Sequence, residues 1–432
     1  MSSIHTNHGA TAALQTLRSI NDQISTTQVE IATGKKVQQS GDNSAIWAIS
    51  KTMEADVVGF KTISDNLSLG DATVAVARQA SETITDLMTD IKGKVVAAQE
   101  ENVDRSKIQA DIEALTTQIN DISAMAQFNG LNLLQNKDAT AGTGSISIMA
   151  SIDRTSGSVS TTSLSVRKRD LSTDASTIAA TGGTYAAGAA AATLTATQTA
   201  TIDASGLTAE AGAVFSLSVF GTDADSSAFD PADYRSTAAA SETQAEMAAG
   251  DMSYVARDGD TMGDVINALG KKWQAFAHSN DHDPEVLNLQ FSGSSINASS
   301  SSTSAADTIA ISINQLGADA GSTMGGGLED LGTLNVSTAA GADEALGRME
   351  GLMGIAIEAA AAFGSDQGRI ETQSNFVSQL SDTLKMGIGK LTDTNLEEAS
   401  AKMQALQVQQ QLATQALSIA NSAPQTLLAL FR

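Results

Sequence analysis

Residues 44–98 read SAIWAISKTMEADVVGFKTISDNLSLGDATVAVARQASETITDLMTDIKGKVVAA, a stretch without proline in which apolar residues recur every seven positions. One series of sevens begins at Ile46 and a second begins at Ile49. Thirteen of the sixteen positions are apolar when alanine is counted. A seam sustained over about eight heptads predicts one helix of roughly 80 Å, at about 1.5 Å per residue, in a coiled-coil-like bundle. The two series comprise Ile46, Met53, Phe60, Leu67, Val74, Ser81, Met88, Val95 and Ile49, Asp56, Ile63, Gly70, Ala77, Ile84, Ile91, Ala98.

Capping and turn residues mark the ends of this helix and of the next one. Gly41 interrupts the pattern, and Asp42, Asn43 or Ser44 can serve as the N-cap of the long helix. A second, shorter helix with the same period is predicted to follow a turn and to end at the dipeptide Asn129-Gly130, which is a strong turn signal.

The middle of the chain, residues 140–342, differs in composition and in period. Ser, Thr, Ala and Gly dominate, and apolar residues alternate with polar ones, as at Ile309, Ile311 and Ile313. Alternation of this kind predicts half-buried strands joined by polar loops. Residues 140–342 are therefore expected to form an α+β insertion.

The seven-residue period returns in residues 343–432. It runs from Met349 to Leu391, and a new stripe begins at Leu396; a shorter stripe of the same kind precedes Gly34 near the amino end. Because neither end alone has enough partners to close a bundle, the two ends are expected to pack on each other. The predicted fold class is mainly α with an α+β insertion: long coiled-coil-like helices from both ends bracket a variable, partly β central domain.

Composition excludes several classes of protein. The net charge is -24, with 25 Lys and Arg against 49 Asp and Glu, which argues against a nucleic-acid partner. Cysteine is absent, so disulfides and thiolate catalysis are excluded. No window of 18 consecutive apolar residues exists, so membrane insertion is not expected. The first twenty residues lack the basic and apolar regions of a cleaved secretory signal, so an exported chain would need another route.

Signals for an enzyme or a metal site are weak. His278 and His282 have helical i, i+4 spacing but lack the glutamate of a metalloprotease motif. The acidic run 258–264 lacks the carboxylate that completes a calcium loop, and a helix cap at Asp260 or Thr261 explains it more simply. The basic run 166–169 is too short for nucleic acid and is expected to be a solvated loop. No catalytic, cofactor-binding or metal-binding residue is therefore predicted.

Three segments of the sequence resemble the bacterial flagellins, the subunits of the flagellar filament. Two lie near the amino end: NHGATAALQTLRSINDQISTTQVEIATGKKVQQSGDNSAIWAIS, residues 7–50, and IQADIEALTTQINDISAMAQFNGLNLL, residues 108–134. The third, LTDTNLEEASAKMQALQVQQQLATQALSIANSAPQTLLALFR, spans residues 391–432 and is close to diagnostic. The middle third shows no such resemblance, which suits a family whose central domains vary.

The resemblance implies a division into five segments. Residues 1–43 and 395–432 would be the two halves of an inner-core coiled coil. Residues 44–139 and 343–394 would form a helical-bundle domain, and residues 140–342 a variable, surface-exposed α+β domain.

It also implies a mechanism and partners. Flagellin termini are disordered in the free subunit, pass unfolded through a type III export channel, and order only in the extracellular filament. The partners would be other flagellin copies, an export chaperone, the filament cap and the hook-associated junction proteins. The resemblance assigns assembly contacts to Leu14, Leu17, Ile20, Ile24, Ile31, Leu396, Met403, Leu406, Leu417, Leu427, Leu428 and Phe431, and the shaping of helix ends to Asp42, Asn43, Asn129 and Gly130.

Other interpretations remain open at the level of sequence. A hook-filament junction protein shares the terminal helices but is made in few copies. A secreted enzyme or an adhesin displayed on a flagellin scaffold would place its activity in residues 140–342, where no catalytic motif occurs and where the Ser/Thr-rich composition gives the adhesin only weak support. The expected function is a structural subunit that polymerises through its terminal helices into the filament used for swimming, and deletion of residues 422–432 is expected to abolish polymerisation while residues 44–392 stay folded.

Overall fold

A computed structural model describes residues 7–155, 158–195, 197–224, 242–250, 252–280, 282–301 and 306–430. They belong to two compact units, one of residues 1–64 and 375–432 and the other of residues 65–374. Long helices at both ends flank a central region rich in strands, so the predicted fold class is confirmed. The helices are α1 (His8–Thr33), α2 (Ser44–Ala97), α3 (Arg105–Met125), α4 (Gln244–Ala249), α5 (Met262–Ser279), α6 (Ala339–Thr392) and α7 (Leu396–Leu430).

The seven-residue series of α2 corresponds to its buried face over most of the helix. Every member of both series from Ile63 to Ala98 is buried, whereas Ile49 near the amino end of the helix is 53% exposed. Ser81 is a polar exception within the seam, and its hydroxyl donates to the carbonyl oxygen of Ala77 at 2.8 Å. This bond satisfies the buried hydroxyl, which explains why a serine is tolerated there.

Within the second unit, α6 runs antiparallel to α2, and α3 returns along it. Arg78 donates from Nε to Gln367 Oε1 at 2.8 Å. Lys92, which lies nearer the carboxyl end of α2, pairs with Glu350. Phe363 of α6 is fully buried. These contacts join two helices that the central region separates in the sequence.

The strands among the described residues form two antiparallel sheets and two hairpins. The four-stranded sheet has the order β5-β11-β7-β8 and the three-stranded sheet the order β6-β10-β9; β1 pairs with β2, and β3 with β4. The strands are β1 (Gln127–Phe128), β2 (Leu131–Asn132), β3 (Ser145–Thr155), β4 (Ser158–Arg167), β5 (Tyr185–Thr195), β6 (Thr197–Asp203), β7 (Val214–Thr222), β8 (Ser253–Val255), β9 (Leu287–Ser292), β10 (Ser295–Ser301) and β11 (Thr308–Leu316).

Helix α5 and the two sheets share one apolar core. It contains Leu269 and Trp273 from the helix, Phe215 and Ile311 from the four-stranded sheet, and Ile296 from the three-stranded sheet. The helix begins where predicted, and Thr261 rather than Asp260 is its N-cap, in a capping box with Asp264.

One sequence prediction about this region is wrong. The basic run 166–169 is not a solvated loop: Val166 is 1% exposed, and the three cations after it are half-buried. Arg167 forms ion pairs with Asp260 at 3.3 Å and with Asp264 at 3.2 Å. The acidic run 258–264 therefore supplies the counter-charges for Arg167, the first cation of the basic run.

Candidate assembly surface

Helices α1 and α7 lie antiparallel to each other in the first unit. The Asn7 side chain donates from Nδ2 to the carbonyl oxygen of Ala420 at 2.7 Å, and Gln410 Nε2 donates to Asn21 Oδ1 at 2.6 Å. At the other end the backbone N–H of Thr394 donates to the carbonyl oxygen of Gly34 at 2.9 Å. The two helices are therefore in contact from the start of α1 to its end.

Most of the residues assigned to assembly line the seam between these two helices of the same chain. Ile20 is 7% exposed and Leu406 is 4% exposed. Among the assigned residues whose side chains the structure describes, Leu14, at 39%, and Leu396, at 51%, are exposed. The half-buried members of the set are Leu17, Ile24, Ile31, Met403 and Leu417.

Three assigned residues lie near the end of the described region. Leu427 and Leu428 belong to α7, but the structure does not describe their side chains, and Phe431 lies outside the described residues. Their assignment to assembly stays a prediction.

A second apolar stripe on α7, which the sequence analysis missed, faces solvent. Val408 is 55% exposed, Leu412 is 59% exposed and Ile419 is 71% exposed. Three exposed alanines lie in line with them, and we call the whole set the outer stripe: Ala401, Ala405, Val408, Leu412, Ala416 and Ile419. At about 100° per residue these six fall within an arc of roughly 80°, on a different face from the seam. The sequence contains a signal for the outer stripe, because these apolar residues remain on α7 after the residues of the seam with α1 have been assigned.

Helix α7 is almost free of charge, although the whole chain carries a net charge of -24. After Glu397 and Glu398 in its first turn, Lys402 is its only charged residue up to Leu430. Burying the outer stripe against another protein surface would therefore desolvate apolar, hydroxyl and amide groups rather than ions. Exposed apolar stripes of this length on soluble proteins mark sites of protein association.

The two residues assigned to the start of α2 have different hydrogen-bond partners. Asn43 Oδ1 accepts from the backbone N–H of Ile46 at 3.1 Å, as an N-cap does. Asp42 belongs to the turn before it, where its carboxylate accepts from the backbone N–H groups of Gln38 and Gln39. The bonds from Gln39 and then Gln38 hold the pKa of Asp42 below its ordinary value.

Asn129 and Gly130 do not lie at a helix end, which corrects the predicted assignment. Helix α3 ends at Met125 with Ala126 as its C-cap, and the dipeptide forms the two-residue turn between β1 and β2. Both residues have positive φ, 51° for Asn129 and 80° for Gly130. A tight hairpin turn of this type needs positive φ at both central positions, and Asn-Gly supplies it.

The histidine pair is not arranged as a metal site. His282 has its Nε2 at 2.6 Å from the carbonyl oxygen of Leu287, and its ring packs edge-on against Trp273, whereas His278 lies beside Asp343. Over the part of the chain that the structure describes, no group of three or more potential metal ligands occurs. No helix among those same residues has the length and apolar character needed to span a membrane.

Comparison with known proteins agrees with this arrangement of terminal helices. The bacterial flagellin N-terminal helical region matches residues 4–139, and the bacterial flagellin C-terminal helical region matches residues 350–431. The chain belongs to the bacterial flagellin family. Flagellin B of Rhizobium meliloti is 35% identical over 437 residues, and flagellin A of the same species is 34% identical over 434 residues; each alignment covers 100% of both chains.

Flagellin FljK of Caulobacter vibrioides (strain ATCC 19089 / CIP 103742 / CB 15) is 34% identical over 176 residues, which is 40% of this chain and 63% of FljK. The likeness to solved structures is lower. FliC from Burkholderia pseudomallei has a TM-score of 0.30 at 15% identity and covers 69% of this flagellin and 99% of its own chain. The flagellar hook associated protein-3 of Legionella pneumophila has a TM-score of 0.34 at 11% identity, with coverage of 79% and 98%. Neither score supports an argument about function, whereas the full-length relatives do.

Membership of the family gives the function. This flagellin is a structural protein, the subunit of the flagellar filament that serves bacterial motility. Flagellins self-polymerise, and the filament that the related flagellins form is extracellular.

Proposed function

We propose that this flagellin polymerises by pairing α1 with α7 and by placing the outer stripe of α7 against neighbouring copies. The single observation that carries the proposal is the exposure of Val408, Leu412 and Ile419 on a helix that is nearly free of charge. Each of these side chains is still more than half exposed, so its full burial would contribute about 1–2 kcal/mol. A stripe on one subunit that contacts a different surface of the next makes an interface that does not close, and such interfaces build helical tubes.

The remaining assigned residues take two roles in this proposal. Ile20, Leu406 and the half-buried members of the seam align the two helices within one subunit. Leu14 and Leu396, which are exposed, would join the outer stripe as contacts between subunits. Leu427, Leu428 and Phe431 would extend the same contacts toward the carboxyl end.

The finer statements about segments and partners also belong to the proposal. Residues 1–43 and 395–432 would form the inner core of the filament, residues 44–139 and 343–394 the helical-bundle domain, and residues 140–342 its surface-exposed domain. The chain would be secreted unfolded by type III export with an export chaperone and would assemble under the filament cap next to hook-associated junction proteins. The subunit would act as a structural element without a catalytic site.

Seeded polymerisation of purified subunits tests the proposal. Filaments are dissociated by heating, and the subunits are cooled with wild-type seeds, pelleted and examined by electron microscopy. We expect L412S/I419S to stay monomeric while its circular dichroism matches that of the wild type. The matched control is Q404S/Q411S, which changes two exposed residues on another face of α7 and should polymerise normally. Normal filament growth by L412S/I419S would contradict the role given to the outer stripe.

Deletion of residues 422–432 is a second arm of the same experiment. The shortened chain should keep the helical content of residues 44–392 and lose polymerisation, because the last part of the assembly contact is gone. Growth of this deletion variant on wild-type seeds would contradict the role of Leu427, Leu428 and Phe431.

A further inference from the structure

A cavity of about 200 Å³, lined by both charged and apolar side chains, lies in the second unit. Its walls come from α5, from α6, from the segment that follows β4 and from the segment around residues 326–330. Neither α1 nor α7 contributes to it, so its contents are independent of the assembly surface. A cavity of this size holds a small organic molecule rather than a single water.

Positive side chains are concentrated around this cavity. The chain has 25 Lys and Arg in 432 residues, and seven of them line this one cavity. They are Arg167, Lys168, Arg169, Arg257, Lys271, Lys272 and Arg348. In a protein with a net charge of -24, such a concentration needs a local explanation.

Carboxylates of the cavity wall neutralise part of this positive charge. Each of these carboxylates already has hydrogen-bond or ion-pair partners in the protein. Asp260 accepts from the Tyr254 hydroxyl at 2.7 Å and from the backbone N–H of Arg257 at 2.8 Å, and it pairs with Arg167. The other carboxylates are bound as follows: Asp264 by Arg167 and Thr261, Asp170 by Ser172 and the backbone of Asn136, Glu329 and Asp330 by Lys272, and Glu358 by Lys271.

Lys272 is an example of a cation in the cavity wall that is paired with carboxylates of the protein. Burial alone would lower the pKa of this lysine, but Asp330 and Glu329 raise it above its ordinary value. Lys272 is therefore charged and is neutralised by the protein itself. Arg167 is also paired within the protein, because it lies between Asp260 and Asp264.

Three cations of the wall keep side-chain N–H groups that donate no hydrogen bond to the residues that the structure describes. Lys168 and Arg169 are half-buried, and neither forms an ion pair with any residue that the structure describes. The guanidinium of Arg257 donates to two neutral oxygens, the Tyr254 hydroxyl and the carbonyl of Gly325, both at 2.9 Å. Burial alone would lower the pKa of Arg257, but Tyr254 and the carboxylates of Asp170, Asp260 and Glu329 raise it above its ordinary value. Its Nε is buried and has no hydrogen-bond partner among the described residues.

A fourth group in the wall is also incompletely satisfied. Asn136 is 3% exposed, and its Nδ2 donates to the carbonyl oxygen of Asp258 at 3.1 Å. Its Oδ1 is buried and accepts no hydrogen bond from the described residues. Buried polar atoms without partners are rare in native proteins, and two beside one cavity indicate that a polar molecule completes them.

We propose that this cavity is a binding site for a small oxyanion that carries carboxylate or phosphate groups and at least one hydroxyl. The oxyanion would take the charge-assisted hydrogen bonds of Lys168, Arg169 and Arg257, and its hydroxyl would donate to Asn136 Oδ1. A metal cation does not fit, because the carboxylates are already engaged and the uncommitted groups are mainly positive. A neutral sugar would leave the half-buried charges of Lys168 and Arg169 without an ion pair, which is unfavourable.

Occupancy would stabilise the second unit by mass action, because the ligand would bind walls from α5, α6 and the segment after β4 only when they are folded together. Citrate carries three carboxylates and a hydroxyl, and phosphate carries the alternative oxyanion chemistry, so these two compounds are the probes. Isothermal titration calorimetry of monomeric wild-type protein measures their binding, with sodium chloride added to keep ionic strength equal throughout.

The informative variant is K168Q/R169Q, which removes two uncommitted charges but keeps the main-chain bonds of both residues to Gly144 and Leu133. The control is K61Q/K107Q, which removes two exposed charges that lie outside the cavity wall. We expect wild type and control to bind citrate, phosphate or both, and K168Q/R169Q to bind at least tenfold more weakly. K168Q alone, with an intermediate loss, replaces the double variant if that variant fails to fold.

Comparison of the binding heats of citrate and phosphate identifies the chemical class of the ligand. Binding of citrate but not phosphate indicates a carboxylate ligand, and the reverse indicates a phosphate ligand; both outcomes support the site. Absence of binding by the wild type, or equal binding by wild type and K168Q/R169Q, would overturn it.

Discussion

The side-chain amide of Asn7 donates a hydrogen bond to the backbone carbonyl oxygen of Ala420 over 2.7 Å, which joins residues 413 positions apart. The same side chain is the N-cap of α1, since its Oδ1 accepts from the backbone N–H of Ala10 at 3.0 Å. One asparagine therefore both starts α1 and holds it to α7.

We predict that N7A weakens the pairing of the terminal helices by about 1–2 kcal/mol, because it removes an N-cap and a hydrogen bond together. Filaments of N7A should depolymerise at a lower temperature than wild-type filaments, as followed by light scattering during heating. T16A is the control, since Thr16 is exposed on α1 and bonds only within its own helix. Equal depolymerisation temperatures for N7A and wild type would contradict the role of Asn7 in holding α1 to α7.

Gly70 of α2 leaves room for the β3-β4 hairpin. A Cβ at this position would stand 2.5 Å from Cδ1 and 2.9 Å from Cγ2 of Ile148. We predict that G70A destabilises the second unit by about 1 kcal/mol, because overpacking costs about 1–3 kcal/mol and alanine regains about 1 kcal/mol of helix propensity. Urea unfolding of the monomer, followed by circular dichroism, measures the change.

Gly93 on the same helix gives a control of opposite sign. Nothing lies within 4 Å of a Cβ placed there, so G93A should stabilise the helix by up to about 1 kcal/mol. The double variant G70A/I148A should lose less stability than the sum of the two single changes, because the shortened side chain removes the clash. Additive losses would show that Gly70 and Ile148 do not limit each other.

Most of the fold could be predicted from local periodicity. Most of the features that could not be predicted depend on contacts between residues that are distant in sequence. The buried face of α2 from Ile63 onward follows from a repeat of seven, because each member is defined by its neighbours on the same helix. The ion pairs of Arg167 with Asp260 and Asp264 could not be predicted, because each run is unremarkable alone and only the tertiary fold brings them together. The outer stripe lay in the sequence as leftover apolar residues, but its exposure depends on which face of α7 contacts α1.

Gly130 tests the corrected assignment of the Asn129-Gly130 turn. The φ of 80° at Gly130 is one that alanine adopts only with strain. We predict that G130A lowers the free energy of unfolding of the second unit by about 1–2 kcal/mol. G368A in α6 is the control, because no atom lies within 4 Å of the added Cβ and the backbone there is helical, so it should be neutral or stabilising. A loss in G368A as large as that in G130A would remove the case for backbone strain at the turn.

Tyr185 predicts how the second unit responds to alkaline pH. Burial, followed by the negative charges of Glu242 and Glu246, raises the pKa of Tyr185 from 10.0 to about 12, and its hydroxyl donates to the backbone carbonyl of Glu242. A folded-state pKa above the unfolded value means that the neutral phenol stabilises the fold. This contribution is complete below pH 10 and is lost as the pH rises from 10 to about 12.

Wild type should therefore lose more stability than Y185F across this interval, as measured by urea unfolding at a series of pH values. Lysine deprotonation affects both proteins alike, so it cancels in the difference. Below pH 10, Y185F should be the less stable of the two, because it lacks the hydrogen bond to Glu242, and the two curves should converge as the tyrosine ionises. Parallel curves over the whole interval would show that ionisation of Tyr185 is not coupled to unfolding.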